Sequence, residues 1–323
     1  MQPTSSSKKI TFIDLFAGIG GFHLAFQSLG CRCVYASEWD KYARETYELN
    51  FKEDSPELFA NDLFTGDITL KENKEKIPNG FDILCGGFPC QPFSQAGFKR
   101  GFEETRGTLF FDIAEIIKQR RPKAFFLENV RNLEKHDDGK TIKLIENTLR
   151  SLDYSVSYKR VRASDFGLPT HRPRIYMIGL HKSVVGDIEN YDFPFPEPVP
   201  LKMTMSDVFE APCSRDIGFT LRVGGKGSGL HDRRNWDSYL VNEKEKRITS
   251  KEGKKMMGFP QSFTFPVSES QAMKQLGNSV AVNALQAVGS VLVEELKREH
   301  VMPPLEKDDL VGENAPKELV MHV

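Results

Sequence analysis

Cysteine is scarce in this chain of 323 residues: Cys31, Cys33, Cys85, Cys90 and Cys213 make an odd total with no CxxC pair. That supports neither a disulfide framework nor a zinc site, and no metal is expected. It leaves room for one reactive thiol. Long apolar runs are missing as well. None approaches the roughly 20 residues of a membrane-spanning helix, and the opening MQPTSSSKKI holds no hydrophobic stretch of the secretory kind. The expectation is a cytoplasmic protein with no membrane partner. Net charge is nearly absent, 44 Lys and Arg against 45 Asp and Glu. This argues against indiscriminate coating of nucleic acid but leaves local segregation open. Between residues 222 and 255, ten basic residues stand against five acids. In isolation such a run reads as a solvated loop.

What is present in quantity is core-forming material, 39% of residues, enough for one large domain and a smaller one. Up to about residue 180, strand-like runs alternate with helical patterns: ITFIDLF, Gly20 to Leu29, CVYASEW, Lys41 to Asn50, FDILCGG, Leu109 to Gln119, AFFLENV, Thr141 to Leu149 and RIYMIGL. Such alternation predicts an α/β fold, a mostly parallel sheet with helices on both faces. The proline-rich YDFPFPEPVP cannot continue a helix or form a central strand and reads as a link. Beyond it, Leu201 to Arg247 is rich in glycine and charge and poor in periodicity, as a loop-built recognition surface would be. Ala281 to Glu299 is a final amphipathic helix, and a polar tail follows Pro303. The expected division is a catalytic and cofactor-binding domain over 1–184, a recognition domain over 185–262, and a segment over 263–323 that returns to the first.

The strand ITFIDLF runs into Ala17-Gly18-Ile19-Gly20-Gly21 and a helix, the context in which glycines let backbone approach a ligand. Alone the turn is equally a tight βα connection. Twenty residues after Gly18, Glu38 ends the second strand, where an acid can hold both hydroxyls of a ribose. Trp39 beside it offers an adenine-stacking face, although a strand-end tryptophan is more often packing. Asp67 in GDI falls where a third strand end would meet the same crevice; by itself it reads equally as a turn residue. Together these fit any adenosine-containing cofactor.

FDILCGG is followed by Phe88-Pro89-Cys90-Gln91-Pro92, which sets a cysteine between prolines on a turn at the crevice edge. Cys85, inside the strand, has the setting of a structural cysteine. Cys90 has that of a reactive thiol, open to pKa lowering.

Six blocks, DLFAGIGGF, EWDKYA, GFPCQPFS, ENV at 128–130, HRPRIYMIG and QLGNSVAVN, resemble in the same order the signature blocks of bacterial DNA cytosine-5 methyltransferases of the restriction-modification type. The resemblance covers most of the chain outside residues 181–245. It implies a Rossmann-like S-adenosylmethionine-dependent domain with a small loop-rich target-recognition domain. It also implies that Cys90 attacks C6 of cytosine, because C5 is too electron-poor to take a methyl group unaided. Glu128, otherwise a strand-end acid capping the next helix, would contact N3 and the 4-amino group. Arg172 and Arg174 match an arginine pair, one of which holds the cytosine O2. By the same resemblance Phe16, Gly18, Gly20, Glu38, Trp39, Asp67, Ile68, Leu109, Asn278 and Ser279 line the S-adenosylmethionine site. Two positions depart from the pattern: Lys251 stands where arginine is usual, and His171 opens HRPR in place of a commoner glutamine.

A duplex hides the cytosine edge this chemistry needs, so the base must leave the stack. The glycine-bearing stretch Gln91 to Arg106 is expected to close over it, and the basic segment after residue 222 to grip double-stranded DNA. The implied partners are double-stranded DNA and a cognate restriction endonuclease acting on the same site, and a monomer is expected. An RNA cytosine-5 methyltransferase of the same fold shares most of these blocks. A DNA-binding protein without activity would not need the Cys90, Glu128 and Arg174 set, and a nicotinamide dehydrogenase has no use for the Pro-Cys-Gln turn.

Overall fold

The computed structural model describes residues 9–89, 109–223 and 229–298. Cys90, the stretch 91–106, Lys226 and the tail after Pro303 lie outside the described residues.

The leading half winds β1 (Thr11–Leu15), α1 (Gly21–Ser28), β2 (Arg32–Ser37), α2 (Lys41–Phe51), α3 (Pro56–Ala60), β3 (Phe64–Thr65), α4 (Lys71–Glu75), β4 (Ile83–Gly87), α5 (Leu109–Arg120) and β5 (Ala124–Val130). It continues through α6 (Lys140–Arg150), β6 (Ser157–Val161) and β7 (Arg174–Leu180). The seven strands form one sheet in the order β3-β2-β1-β4-β5-β7-β6. Strands β3 to β5 pair in parallel, whereas β7 runs antiparallel to both β5 and β6. The central strands are apolar on both sides because helices cover both faces. From β1, Ile13 and Leu15 face Ile113, Ile117, Ile145 and Leu149 of α5 and α6. Phe12 faces the opposite layer, with Phe22, Phe26 and Tyr47 of α1 and α2.

The helix boundaries follow local chemistry. Asp40 caps α2 by accepting from the Ala43 amide at 2.9 Å, and α3 opens on Pro56, where its missing donor costs nothing. β6 was not expected from the sequence. It is an edge strand whose Tyr158, Lys159 and Arg160 are exposed, so it carries no apolar pattern to read.

The trailing half holds α7 (Lys182–Val185), α8 (Met205–Phe209), a hairpin of β8 (Ser238–Val241) and β9 (Lys244–Arg247), α9 (Ser250–Met256), α10 (Glu269–Asn278) and α11 (Val282–Lys297). Capping boxes Thr204/Asp207 and Thr249/Glu252 start α8 and α9. Leu221, Trp236, Tyr239, Met256 and Phe259 share one apolar cluster with α1 and α11, so the segment that follows β7 and the sheet layer are welded by continuous packing. By length and mean composition alone, Glu269–Lys297 would be apolar enough to cross a membrane. Two-thirds of its most apolar window is buried in the protein, as in a core helix.

Candidate active site

Three backbone reversals shape the turn after β1. Phe16 has φ +56°, and Gly18 and Gly20 have +56° and +85°. At the two glycines this conformation is free; at Phe16 it is strained, a feature that collects at functional sites. A side chain on Gly18 would meet nothing within 4 Å, so its backbone borders open space. One on Gly20 would strike the Phe51 ring. The turn is bound to the end of β2 by Glu38, whose Oε2 accepts from the Gly18 amide and Oε1 from the Asp40 amide, both at 2.8 Å. Burial raises the Glu38 pKa. Trp39 projects its indole, 79% exposed, beside this acid.

At the end of β3, Asp67 spends one oxygen on the Thr69 amide at 2.9 Å, and Asn73 holds the Asp67 carbonyl at 2.7 Å. Ile68 is buried there. Arg44 ties the two strand ends together by donating to the carbonyls of Glu38, Phe64 and Thr65. Leu109 opens α5, and Asp112 in the same turn lies 2.7 Å from Lys74 of α4. The C-terminal return is tight. A Cβ on Gly21 would fall 2.3 Å from Val280 and 3.5 Å from the Ser279 hydroxyl. Ser279 is thus packed on the glycine turn, while its neighbour Asn278 is exposed.

The second cluster forms where β4, β5 and β7 meet. Because β7 runs antiparallel, its first residue lies at the same sheet edge as the carboxyl ends of β4 and β5. Gly87 pairs with Glu128, and Val130 with Arg174. Arg174 Nε sits 2.8 Å from Glu128 Oε1. Burial raises the Glu128 pKa, outweighing the positive charges of Arg174 and Arg172 that oppose it. Gly87 stands three residues before Cys90, and a Cβ there would come within 3.4 Å of Glu128 Oε2. Asn129 reaches back from β5 to donate to the Phe88 carbonyl at 2.9 Å. Arg172 is buried close enough for its charge to act on Glu128, but its hydrogen bonds all go to backbone carbonyls.

A family model of C-5 cytosine-specific DNA methylases matches residues 10–228 and 222–294. The chain belongs to that family. This DNA cytosine-5 methyltransferase is 43% identical over 337 residues to the Type II methyltransferase M.HpaII of Haemophilus parainfluenzae, with 90% of each chain covered. It is 40% identical over 318 residues to the Type II methyltransferase M.HhaI of Haemophilus parahaemolyticus, covering 86% of this chain and 93% of that one. Among solved structures, the S. pombe Dnmt2 methyltransferase superposes with a TM-score of 0.63 at 17% identity, over 90% of this chain and all of that one. That likeness concerns the fold, a Rossmann-like S-adenosylmethionine-dependent one.

The methyltransferase also has site features that sequence reading passed over. Asp14 in β1 is fully buried, with the His23 backbone as the one group among the described residues that favours its charged form. Burial first, and then the nearby Glu38 carboxylate, raise its pKa well above the ordinary range. Asn129, Asn73 and Arg44 hold site backbone, and only Asn129 fell inside a recognisable block. Between residues 222 and 255, several of the counted basic residues are paired. Arg234 pairs with Asp232, Lys246 with Glu252, Arg247 with Asp237, and Lys255 with Glu210. Lys254 donates to the carbonyls of Gln261 and Phe263. Arg222, Arg233 and Lys244 are exposed.

Proposed function

We propose that the protein methylates carbon 5 of a cytosine rotated out of a specific short double-stranded DNA sequence, through a transient bond between Cys90 and C6. The observation that carries this reading is the meeting of Glu128 and Arg174 across from Gly87, three residues before Cys90. The other thiols fit the nucleophile's part poorly. Burial pushes the Cys31 thiol up to about 11 and raises those of Cys33 and Cys85 further. Cys213 sits in the recognition segment, bridged to Val241.

The donor set at the glycine turn suits S-adenosylmethionine: an acid for the ribose in Glu38, a broad exposed indole in Trp39, and open backbone at Gly18. Phe16, Gly20, Asp67, Ile68, Leu109, Asn278 and Ser279 complete the proposed lining. When bound, the cofactor supplies an electrophilic methyl group on a sulfonium. The Cys90 thiolate adds to C6, and the displaced ring electrons move toward C5 and N3. Glu128, whose pKa burial raises, gives a proton to N3 and so prevents a full negative charge from building on the ring. Arg174 holds the O2 edge of the same ring. C5, now enamine-like, takes the methyl group; a base removes the C5 proton, the returning electron pair expels Cys90, and the N3 proton goes back to Glu128. Specific readout falls to the segment 185–262, in keeping with base contacts that specify and phosphate contacts that position. The Type II names of the relatives support a restriction endonuclease with the same site as the functional partner.

DNA carrying 5-fluorocytosine at the methylated position tests the scheme. Addition and methyl transfer proceed, but fluorine cannot leave as F⁺, so the protein is expected to stay joined to DNA through denaturing electrophoresis. The adduct is expected to carry label from the cofactor and to be absent with Cys90→Ser. Turnover on ordinary duplex without such an adduct rules out the covalent route.

A further inference from the structure

Arg172 is one of the largest fully buried side chains in the protein, 1% exposed. No carboxylate pairs with it among the described residues. Its Nη2 donates to the carbonyls of Gly277 (3.0 Å) and Ser279, and its Nη1 reaches the carbonyl of Leu221 at 3.4 Å. These acceptors come from two distant parts of the chain. Gly277 and Ser279 frame the turn packed on the glycine loop, and Leu221 belongs to the recognition segment beside the exposed Arg222. The residue itself sits at φ +27°, a conformation that side chains rarely adopt.

The surroundings extend the same connection. Gly218 donates its amide to the Pro169 carbonyl at 2.8 Å, and the Thr170 hydroxyl donates to the Phe219 carbonyl at 3.0 Å. Residues 169–172 thus lie along residues 218–221. A Cβ on Gly277 would stand 2.7 Å from the Arg222 carbonyl, so the 277–279 turn and the recognition segment also touch directly. Two residues beyond Arg172, Arg174 meets Glu128. Burial and the neighbouring Arg174 pull the Arg172 pKa down to about 9, against the Glu128 carboxylate, which leaves the guanidinium charged at neutral pH.

We propose that Arg172 is a positioning strut that couples cofactor binding to DNA binding, holding the 277–279 turn and the residue-221 segment in one register beside Glu128 and Arg174. A buried guanidinium needs all its carbonyl acceptors, because a charge left short of partners in the interior is costly. The three carbonyls are held by the Nη atoms alone, and Nε finds no partner among the described residues, so a ligand that stiffens either segment holds these acceptors in place and lowers the ordering cost left for the other ligand. The coupling is reciprocal: each ligand raises the other's affinity by one common factor. This inference rests on the S-adenosylmethionine site proposed above.

The test measures the affinity of S-adenosylhomocysteine for the whole protein with and without plasmid DNA from a methylation-free host. The wild type is expected to bind at least about fivefold tighter with DNA, the low end of ordinary coupling. Arg172→Lys keeps the charge but cannot span three carbonyls, and its ratio is expected to fall toward one. Its kcat with both ligands saturating is expected to fall less than its kcat/KM. A variant that merely lost stability would not change the ratio selectively, and thermal unfolding monitors that loss. Should the variant not fold, hydrogen exchange on the wild type decides: S-adenosylhomocysteine is expected to protect amides 217–223. A ratio that survives in Arg172→Lys, or unchanged exchange at 217–223 in a wild type that binds S-adenosylhomocysteine, overturns the strut. A wild type that fails to bind S-adenosylhomocysteine overturns the cofactor reading, and the strut with it.

Discussion

The side-chain amide of Asn129 donates to the Phe88 carbonyl at 2.9 Å, while its own Oδ1 accepts from the Val130 amide at 2.8 Å. One buried residue therefore closes the end of β5 and fixes the chain two positions before Cys90. Asn129→Ala leaves a carbonyl and an amide without their partner, at a cost of about 1–3 kcal/mol of stability. The larger effect is expected in the chemistry. Misplacing a reacting group by about 1 Å can cost on the order of 100-fold, so the single-turnover methylation rate is expected to fall roughly 10- to 100-fold with S-adenosylhomocysteine affinity little changed. Equal losses in rate and affinity would instead mean a general loosening of the sheet edge.

Glu128 yields a pH prediction. Burial raises its pKa despite Arg174 and Arg172, so it keeps its proton to higher pH than an ordinary carboxyl. The single-turnover rate is expected to climb as the Cys90 thiol ionises and to turn down as pH passes the raised Glu128 value. Glu128→Gln has no proton to give; its rate is expected to be lower by roughly 10²- to 10⁴-fold, with the alkaline decline gone. Persistence of that decline in the variant would assign it to another group.

His23 lies sealed against Phe51, ring centroids 4.1 Å apart, with Nδ1 at 2.6 Å from the Tyr47 hydroxyl and Nε2 at 3.2 Å from the Ser55 hydroxyl. Burial lowers its pKa from 6.5 to about 3. The unfolded chain takes up a proton below pH 6.5 while the folded one does not, so stability is lost as pH falls through that window. The loss is about 1.4 kcal/mol per pH unit, or about 2 kcal/mol between pH 6.5 and 5. His23→Gln keeps polar contacts without titrating. Urea midpoints of the variant are expected to vary less over this range; identical slopes in both proteins would exclude His23 as the source.

What could be read from the sequence was whatever repeats locally. The central strands stand out because burial on both faces makes them unbroken apolar runs, and the start of α2 falls where Asp40 caps it. The edge strand β6 has no such run, since Tyr158, Lys159 and Arg160 face solvent. The β8–β9 hairpin turns on Asn242 and Glu243 at φ +48° and +61°, a turn normally announced by Asn-Gly, so the glutamate hides it. Glu128 and Arg174 stood in recognisable blocks, but their 2.8 Å contact depends on β7 reversing direction, which spacing does not encode. Arg172 was grouped with Arg174 on sequence; its carbonyl partners lie 49 to 107 residues away, and backbone acceptors leave no trace in residue type.

Two adjacent arginines give the last prediction. The basic count between residues 222 and 255 treats Arg233 and Arg234 alike, but their surroundings differ. Arg234 is committed to Asp232, with Nε and Nη2 at 3.2 and 2.9 Å from the two carboxylate oxygens and its backbone amide at 2.8 Å. That bidentate pair neutralises most of its field. Arg233 is exposed, with no acid paired to it among the described residues. If Arg233 contacts a phosphate, Arg233→Glu removes one counterion-releasing contact, and the slope of log K against log salt becomes shallower by about 0.9. Arg234→Gln is expected to leave the slope nearly unchanged, because Asp232 is then freed to repel the backbone as the arginine charge is lost, which lowers affinity without removing a phosphate contact. Binding isotherms on plasmid DNA at several salt concentrations separate the two. A slope that changes for Arg234→Gln and not for Arg233→Glu would place the phosphate contact on the paired arginine and show that DNA breaks the Asp232 bridge on binding.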